Sequence, residues 1–67
     1  MKTNLRIGNL LSSNDVKSIR EAIASNEGVV ACEVNLTNKE VSIVFDEKST
    51  TVDEIANSIE VLGYNIA

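Results

Sequence analysis

The chain has 67 residues, enough for one domain but too few for a second core or a cleft between domains. Apolar residues make up 43% of the chain, which excludes a disordered protein. The formal net charge of −4 argues against nucleic acid and against anionic membrane as partners, since both attract basic proteins. We therefore predict a single domain over residues 1–67.

The cysteine content and the N-terminal residues predict the compartment. Cys32 is the only cysteine, so an internal disulfide is impossible. The first residues alternate in polarity instead of forming an apolar leader, and no stretch approaches the ~18 apolar residues of a membrane span. These features predict a cytoplasmic protein.

Hydrophobic spacing in the first half predicts a strand and a helix. Alternation around Leu5 and Ile7 predicts a strand over Lys2–Gly8. A helix is then predicted over Ser13–Ser25, ending near Asn26 and Gly28. The prediction rests on apolar residues at spacings of three and four, which are Val16, Ile19 and Ile23.

The middle of the chain predicts an antiparallel hairpin. Strands over Val29–Leu36 and Glu40–Phe45 flank a short turn over Thr37–Lys39. Alternation predicts one set of residues that faces the core: Cys32, Val34, Leu36, Val41, Ile43 and Phe45. The other set is mostly polar and faces solvent: Glu33, Asn35, Glu40, Ser42 and Val44.

A second helix and a short last strand complete the pattern. The helix is predicted over Thr51–Gly63, with Thr51 and Glu54 spaced as a capping box and an apolar stripe of Val52, Ile55, Ile59 and Leu62. Residues 64–67 can form a fourth strand. This order predicts an α+β, ferredoxin-like βαββαβ sandwich, in which a four-stranded antiparallel sheet carries two helices on one face.

With elements in that order, residues 26–67 resemble heavy-metal-associated domains, in particular free-standing bacterial copper chaperones. Their sequence is NEGVVACEVNLTNKEVSIVFDEKSTTVDEIANSIEVLGYNIA. The shared parts are a Gly-Val that opens the second strand, a Val-Asn-Leu that ends it, a Val-x-Ile-x-Phe-Asp third strand and a helix that closes on Gly-Tyr. The resemblance implies a metal carrier and not an enzyme, Cu(I) or another heavy metal as cargo, and a metal-transporting P-type ATPase as partner.

The loop before the first helix departs from the pattern of the family. Members carry Gly-Met-x-Cys-x-x-Cys there, and two thiolates suit the soft Cu(I) ion. Here Leu10 takes the Met position, Ser12 the first Cys position and Asp15 the second. Ser12 and Asp15 are thus the candidate metal positions by resemblance, although their hard oxygens do not suit Cu(I).

Several interpretations of this loop remain open. In one interpretation, Ser12 and Asp15 form a helix cap and have no further role, because they have capping-box spacing and precede the apolar stripe of a helix. Alternatively, Asp15 with other oxygens binds a metal weakly, or two chains share a metal through Cys32, which alternation otherwise places in the core. Leu10 and Leu11 beside Tyr64 are also expected to form an apolar surface for a protein partner.

Other functional classes fit the residues less well. The chain has no histidine and no nucleophile beside a base, and its loop lacks the arginine of an acylphosphatase, so we predict no enzyme. The open face of the sheet carries Arg6, Ser42 and Val44 and not the aromatics of an RNA-binding module. A regulatory module that pairs through its sheet stays open, although Glu33 and Glu40 favour a monomer.

The sequence thus predicts a small copper-chaperone-like domain that has lost its thiolate pair and acts by protein contact. The alternative is weak heavy-metal binding through Asp15 or through an intermolecular Cys32 pair.

Overall fold

The computed structural model describes all residues, 1–67. Five elements follow one another along the chain: β1 (Lys2–Arg6), α1 (Ser13–Ala24), β2 (Val29–Asn35), β3 (Glu40–Phe45) and α2 (Val52–Glu60). Their order and type are those predicted from the hydrophobic spacing. The two helices pack on one face of the sheet in the ferredoxin-like arrangement.

The sheet has three strands and not the predicted four. Its order is β1-β3-β2, and both pairs are antiparallel. Residues 64–67 form only one bridge to the sheet, between Ile7 and Ile66. A longer ladder does not form because the backbone N–H of Asn65 is taken by a side chain, the Asn9 amide oxygen at 2.8 Å.

Both helices begin at a polar cap. At α2, Thr51 is the N-cap, and its hydroxyl accepts from the Glu54 N–H at 3.2 Å. The reciprocal half of the predicted capping box is missing, because the Glu54 carboxylate accepts instead from the Thr50 hydroxyl at 3.1 Å. The helix ends at Glu60, three residues before Gly63, whose φ of 96° lies in the left-handed region that glycine favours.

The core contains nine buried apolar residues from α1, β3, α2 and the loop after β1. They are Ile7, Leu10, Ile19, Ile23, Val41, Ile43, Phe45, Ile55 and Ile59. The predicted inward positions of β3 are therefore confirmed. Two other predictions of burial are wrong, because Leu36 follows the end of β2 and is 39% exposed, while Leu62 follows the end of α2 and is 51% exposed. Cys32 and Val34 are half-buried, because β2 is an edge strand.

The start of β2 combines a tight approach with an irregularity. Gly28 has a φ of 95°, and a Cβ at this position would lie 2.6 Å from the Ser49 Cβ. Glycine is therefore required both by the backbone and by the space. One residue later, the register with β3 shifts between Val29 and Ala31, which leaves Val30 73% exposed.

We predict that Ile43→Ala lowers the free energy of unfolding by about 2 to 5 kcal/mol, because it leaves a cavity in a fully buried site. Val44→Ala is the matched control on the same strand, since Val44 faces solvent and should lose less than about 1 kcal/mol. Urea denaturation followed by far-UV circular dichroism measures both values. Equal losses would contradict the assigned faces of β3.

Candidate site in the loop before the first helix

The loop between β1 and α1 ends in a complete capping box. Ser12 is the N-cap in extended geometry, with φ −143° and ψ 169°. Its hydroxyl oxygen accepts from the Asp15 N–H at 3.4 Å, and Asp15 Oδ2 accepts from the Ser12 N–H at 3.1 Å. The same carboxylate oxygen also accepts from the Leu11 N–H at 3.0 Å. Asp15 thus satisfies backbone donors of the loop and places negative charge at the positive end of the helix.

The second oxygen of Asp15 links the loop to the C-terminal residues. Tyr64 donates its hydroxyl to Asp15 Oδ1 at 2.7 Å, across 49 residues of sequence. The Tyr64 hydrogen bond and, after it, the Leu11 N–H hold the pKa of Asp15 below its usual 3.8. The hydrogen bond to Asp15 also raises the pKa of Tyr64 above its usual 10.0, because it stabilises the protonated phenol.

Asn9 makes a second link that the sequence analysis missed. Its amide nitrogen donates to the Gly63 carbonyl at 3.2 Å, and its amide oxygen accepts from the Asn65 N–H at 2.8 Å. An asparagine can do both because its side chain carries a donor and an acceptor. No signal in the sequence names these distant partners of Asn9.

The arrangement does not fit a Cu(I) site. Both positions that correspond to thiolates in the family carry oxygen, and these oxygens already bond to one another and to the loop amides. Both carboxylate oxygens of Asp15 have donors at hydrogen-bond distance. Nowhere in the chain do three or more His, Cys, Asp or Glu side chains form a group that could hold a metal ion. The donors are too hard and too few for a soft monovalent cation.

Cys32 lies away from this loop, in the middle of β2 opposite Ile43. It is half-buried and packs against the core. It also contributes to a shallow depression on the outer face of the sheet, together with Lys2, Ala31, Glu33, Ser42 and Val44.

The predicted apolar surface at this end has a different composition. Leu10 has no exposed surface and belongs to the core, so the prediction that it forms part of a partner surface is wrong. The reason is that the loop turns inward after Ile7, where the Leu10 N–H donates to the Ile7 carbonyl at 3.3 Å. Leu11 points outward and is 72% exposed, while Tyr64 is half-buried.

Two further apolar residues are exposed after α2. Val61 is 70% and Leu62 51% exposed, and they directly precede the Gly63 carbonyl that holds the loop. We call Leu11, Val61 and Leu62 the apolar rim. The sequence analysis missed Val61 and placed Leu62 in the core, because it extended the helical stripe beyond the true end of α2.

Comparison with known proteins identifies the family. The model of the heavy-metal-associated domain matches residues 4–65. The chain belongs to this family. The copper chaperone CopZ of Bacillus subtilis is 32% identical over 63 residues, which cover 94% of this chain and 91% of that protein. A solved structure of a CopZ metallochaperone superposes with a TM-score of 0.96 over 100% of both chains, at 24% identity, so that likeness concerns the fold.

Larger proteins match over a small part of their length. A relative from Archaeoglobus fulgidus is 38% identical over 66 residues, and the copper-transporting ATPase of Helicobacter pylori is 35% identical over 65 residues. The chain spans only 8% and 9% of their lengths. Membership in a family of metal carriers supports the prediction that the chain is not an enzyme. None of its helices is long and apolar enough to cross a membrane.

We predict that Tyr64→Phe raises the pKa of Asp15 towards 3.8 without reaching it, because the Leu11 and Ser12 amides still donate. NMR titration of the Asp15 carboxyl carbon measures the change. The contribution of Asp15 to stability is complete above pH 3.8 and is lost as the pH falls through its lowered pKa. The contribution of Tyr64 to stability is complete below pH 10.0 and is lost as the pH rises through the raised pKa of its phenol.

The difference in stability between the wild type and Tyr64→Phe should therefore be constant near neutral pH and should shrink at both extremes. Urea denaturation across the pH range measures it. A difference that persists at pH 2 would mean that Tyr64 stabilises the fold by packing and not through the carboxylate.

Proposed function

We propose that this chain is a copper-chaperone-like protein that does not hold Cu(I) tightly and acts through protein contact. The observation that carries the proposal is the capping box itself. Ser12 and Asp15 stand where the family has two thiolates, and they are hydrogen-bonded to each other and to the loop. The loop therefore has an ordered structure that requires no metal.

The chemistry of the donors supports this proposal. A serine hydroxyl does not ionise near neutral pH, and a carboxylate is a hard ligand, whereas Cu(I) prefers thiolates. A cation at Asp15 would have to displace the Tyr64 hydroxyl or the Leu11 and Ser12 amides. This cost also works against the alternative of weak metal binding through Asp15 and other oxygens.

A protein partner would contact the apolar rim. Three large apolar side chains are more than half exposed on two segments that hydrogen bonds hold together, which is an arrangement suited to burial against another surface. Since relatives include CopZ chaperones and a copper-transporting ATPase, we infer that the partner is a metal-binding domain of a P-type ATPase or a related protein. The encounter would take place in the cytoplasm, between this chain as a monomer and the partner.

The proposal predicts that the reduced protein takes no Cu(I) from a chromogenic chelator in an anaerobic competition titration. Cys32→Ser should behave like the wild type, because Cys32 is half-buried and a single thiol holds Cu(I) weakly. The matched positive control is the double variant Ser12→Cys with Asp15→Cys, which restores the thiolate spacing of the family and should remove copper from the chelator.

The outcomes of these titrations distinguish the alternative metal sites. Copper uptake by the wild type would overturn the proposal, and its loss in Cys32→Ser would place the site between two chains. Shifts of the Asp15 resonances with excess Zn(II) or Ni(II) would instead support an oxygen site. A double variant that folds but binds no copper would mean that the loop geometry, and not only the missing thiols, prevents binding.

The contact surface has its own test. The soluble metal-binding domain of a copper-transporting ATPase is titrated into the ¹⁵N-labelled chain, and we expect shifts centred on Leu11 and the end of α2. Leu11→Ser should weaken the interaction about tenfold, as expected for an apolar side chain at the centre of a contact. Val30→Ser is the matched control, because Val30 is equally exposed at 73% but lies at the opposite end of the sheet. Equal effects of both variants would contradict contact through the apolar rim.

A further inference from the structure

The last five residues are fixed to the rest of the chain mainly through the loop. We call Gly63–Ala67 the tail. Its backbone makes two bonds to the end of β1 and to Gly8, from the Ala67 N–H to the Arg6 carbonyl at 2.8 Å and from the Gly8 N–H to the Asn65 carbonyl at 2.9 Å. The Gly63 N–H donates to the Glu60 carbonyl of α2 at 2.9 Å, and the remaining bonds of the tail run to the side chains of Asn9 and Asp15.

The loop depends on the tail in return. Asn9 is bonded on both sides to tail backbone, and Asp15, which fixes the Leu11 and Ser12 amides, is itself bonded to Tyr64. Beyond these contacts, the backbone of the loop is bonded at its two ends, from the Ile7 N–H to the Lys39 carbonyl at 2.8 Å and from the Val16 N–H to the Ser12 carbonyl at 3.1 Å, and by one short-range bond between Leu10 and Ile7, at 3.3 Å. Neither segment therefore has a complete set of hydrogen bonds without the other.

The tail is also the weakest part of the sheet. It forms a single bridge, whereas β2 and β3 are paired over most of their length. Three of its five residues are exposed, and only Tyr64 and Ile66 pack against the core. Segments with few buried apolar contacts open locally at a lower free energy than the core.

We propose that the tail and the loop form a latch that opens as one unit, without unfolding of the helices and the three-stranded sheet. In the closed state the latch covers Ile7 and Leu10 and holds Leu11 close to the end of α2. In the open state both core residues become exposed and the outer edge of β1 loses its only bridge. The latch is independent of the proposed copper function, and its test involves no metal and no partner.

Native-state hydrogen exchange by NMR tests the latch on the intact chain. The probes are five backbone amides of the latch whose hydrogen bonds join loop and tail to each other, to Asp15 or to β1: Gly8, Leu11, Ser12, Asn65 and Ala67. We expect these amides to exchange with one common opening free energy, well below that of the Val41 and Ile43 amides in the sheet. Amides that exchange with five unrelated free energies, or only with global unfolding, would overturn the proposal.

Two variants test the coupling across the latch. Tyr64→Phe removes a bond to Asp15 and should accelerate exchange of all five amides by a common factor of about three or more. Asn9→Ala removes only bonds to the tail, yet it should also accelerate Leu11 and Ser12, which Asn9 does not touch. Acceleration confined to the amides next to each substitution would mean that loop and tail open separately.

A matched control removes a hydroxyl that makes no hydrogen bond to the latch. Ser58→Ala deletes the bonds from Ser58 to the Asn26 side chain and to the Glu54 carbonyl, both at 3.0 Å, and should leave the exchange of the five amides unchanged. The proposal would fail if Ser58→Ala accelerated the exchange of the five amides as strongly as Tyr64→Phe does, because general destabilisation would then explain both effects.

Discussion

One carboxylate connects three segments at the end of the molecule that carries the loop before α1. Asp15 accepts hydrogen bonds from two loop amides and from the phenol of Tyr64, so its two oxygens connect the helix start, the loop and the C-terminal residues. The same bonds explain the shifted pKa values of both side chains. They also satisfy two loop amides and place a negative charge at the positive end of the helix.

The oxygen donors of Ser12 and Asp15 limit what this loop can bind. A soft metal site needs donors that are free to turn towards an ion, and the donors in this loop are already engaged. Leu11 on the loop and Val61 and Leu62 after α2 are exposed apolar side chains. A fold shared with metal carriers does not decide the role of an individual chain, which depends on the residues that it places at such positions.

The sequence predicted the elements well where hydrophobic spacing was regular. The helix starts at Ser12 and Thr51 and the inward face of β3 followed directly from local patterns, and the full capping box at Ser12 was recognised from residue type and spacing. The errors occurred where long-range contacts decide. Leu10 was expected on the surface because a loop residue has no periodicity, and the burial of this side chain depends on a turn that only the tertiary structure shows.

The fourth strand and the role of Asn9 could not be predicted for a related reason. Alternation suggested a strand after Gly63, but nothing local indicated that an asparagine 56 residues earlier would take the Asn65 N–H. The bond between Tyr64 and Asp15 was similarly hidden, although both residues were recognised separately. Side-chain bonds over such separations leave no period in the sequence, so they require a structure.

The irregular start of β2 affects how copies of the chain meet at high concentration. β2 forms one edge of the sheet, and an exposed edge with free backbone groups invites pairing between molecules. The shift between Val29 and Ala31 bends this edge, and Glu33 places a charge in its middle. A strand from a second copy would therefore meet a distorted ladder and the charge of Glu33. Both features disfavour edge-to-edge pairing at β2, even though Val30 is exposed.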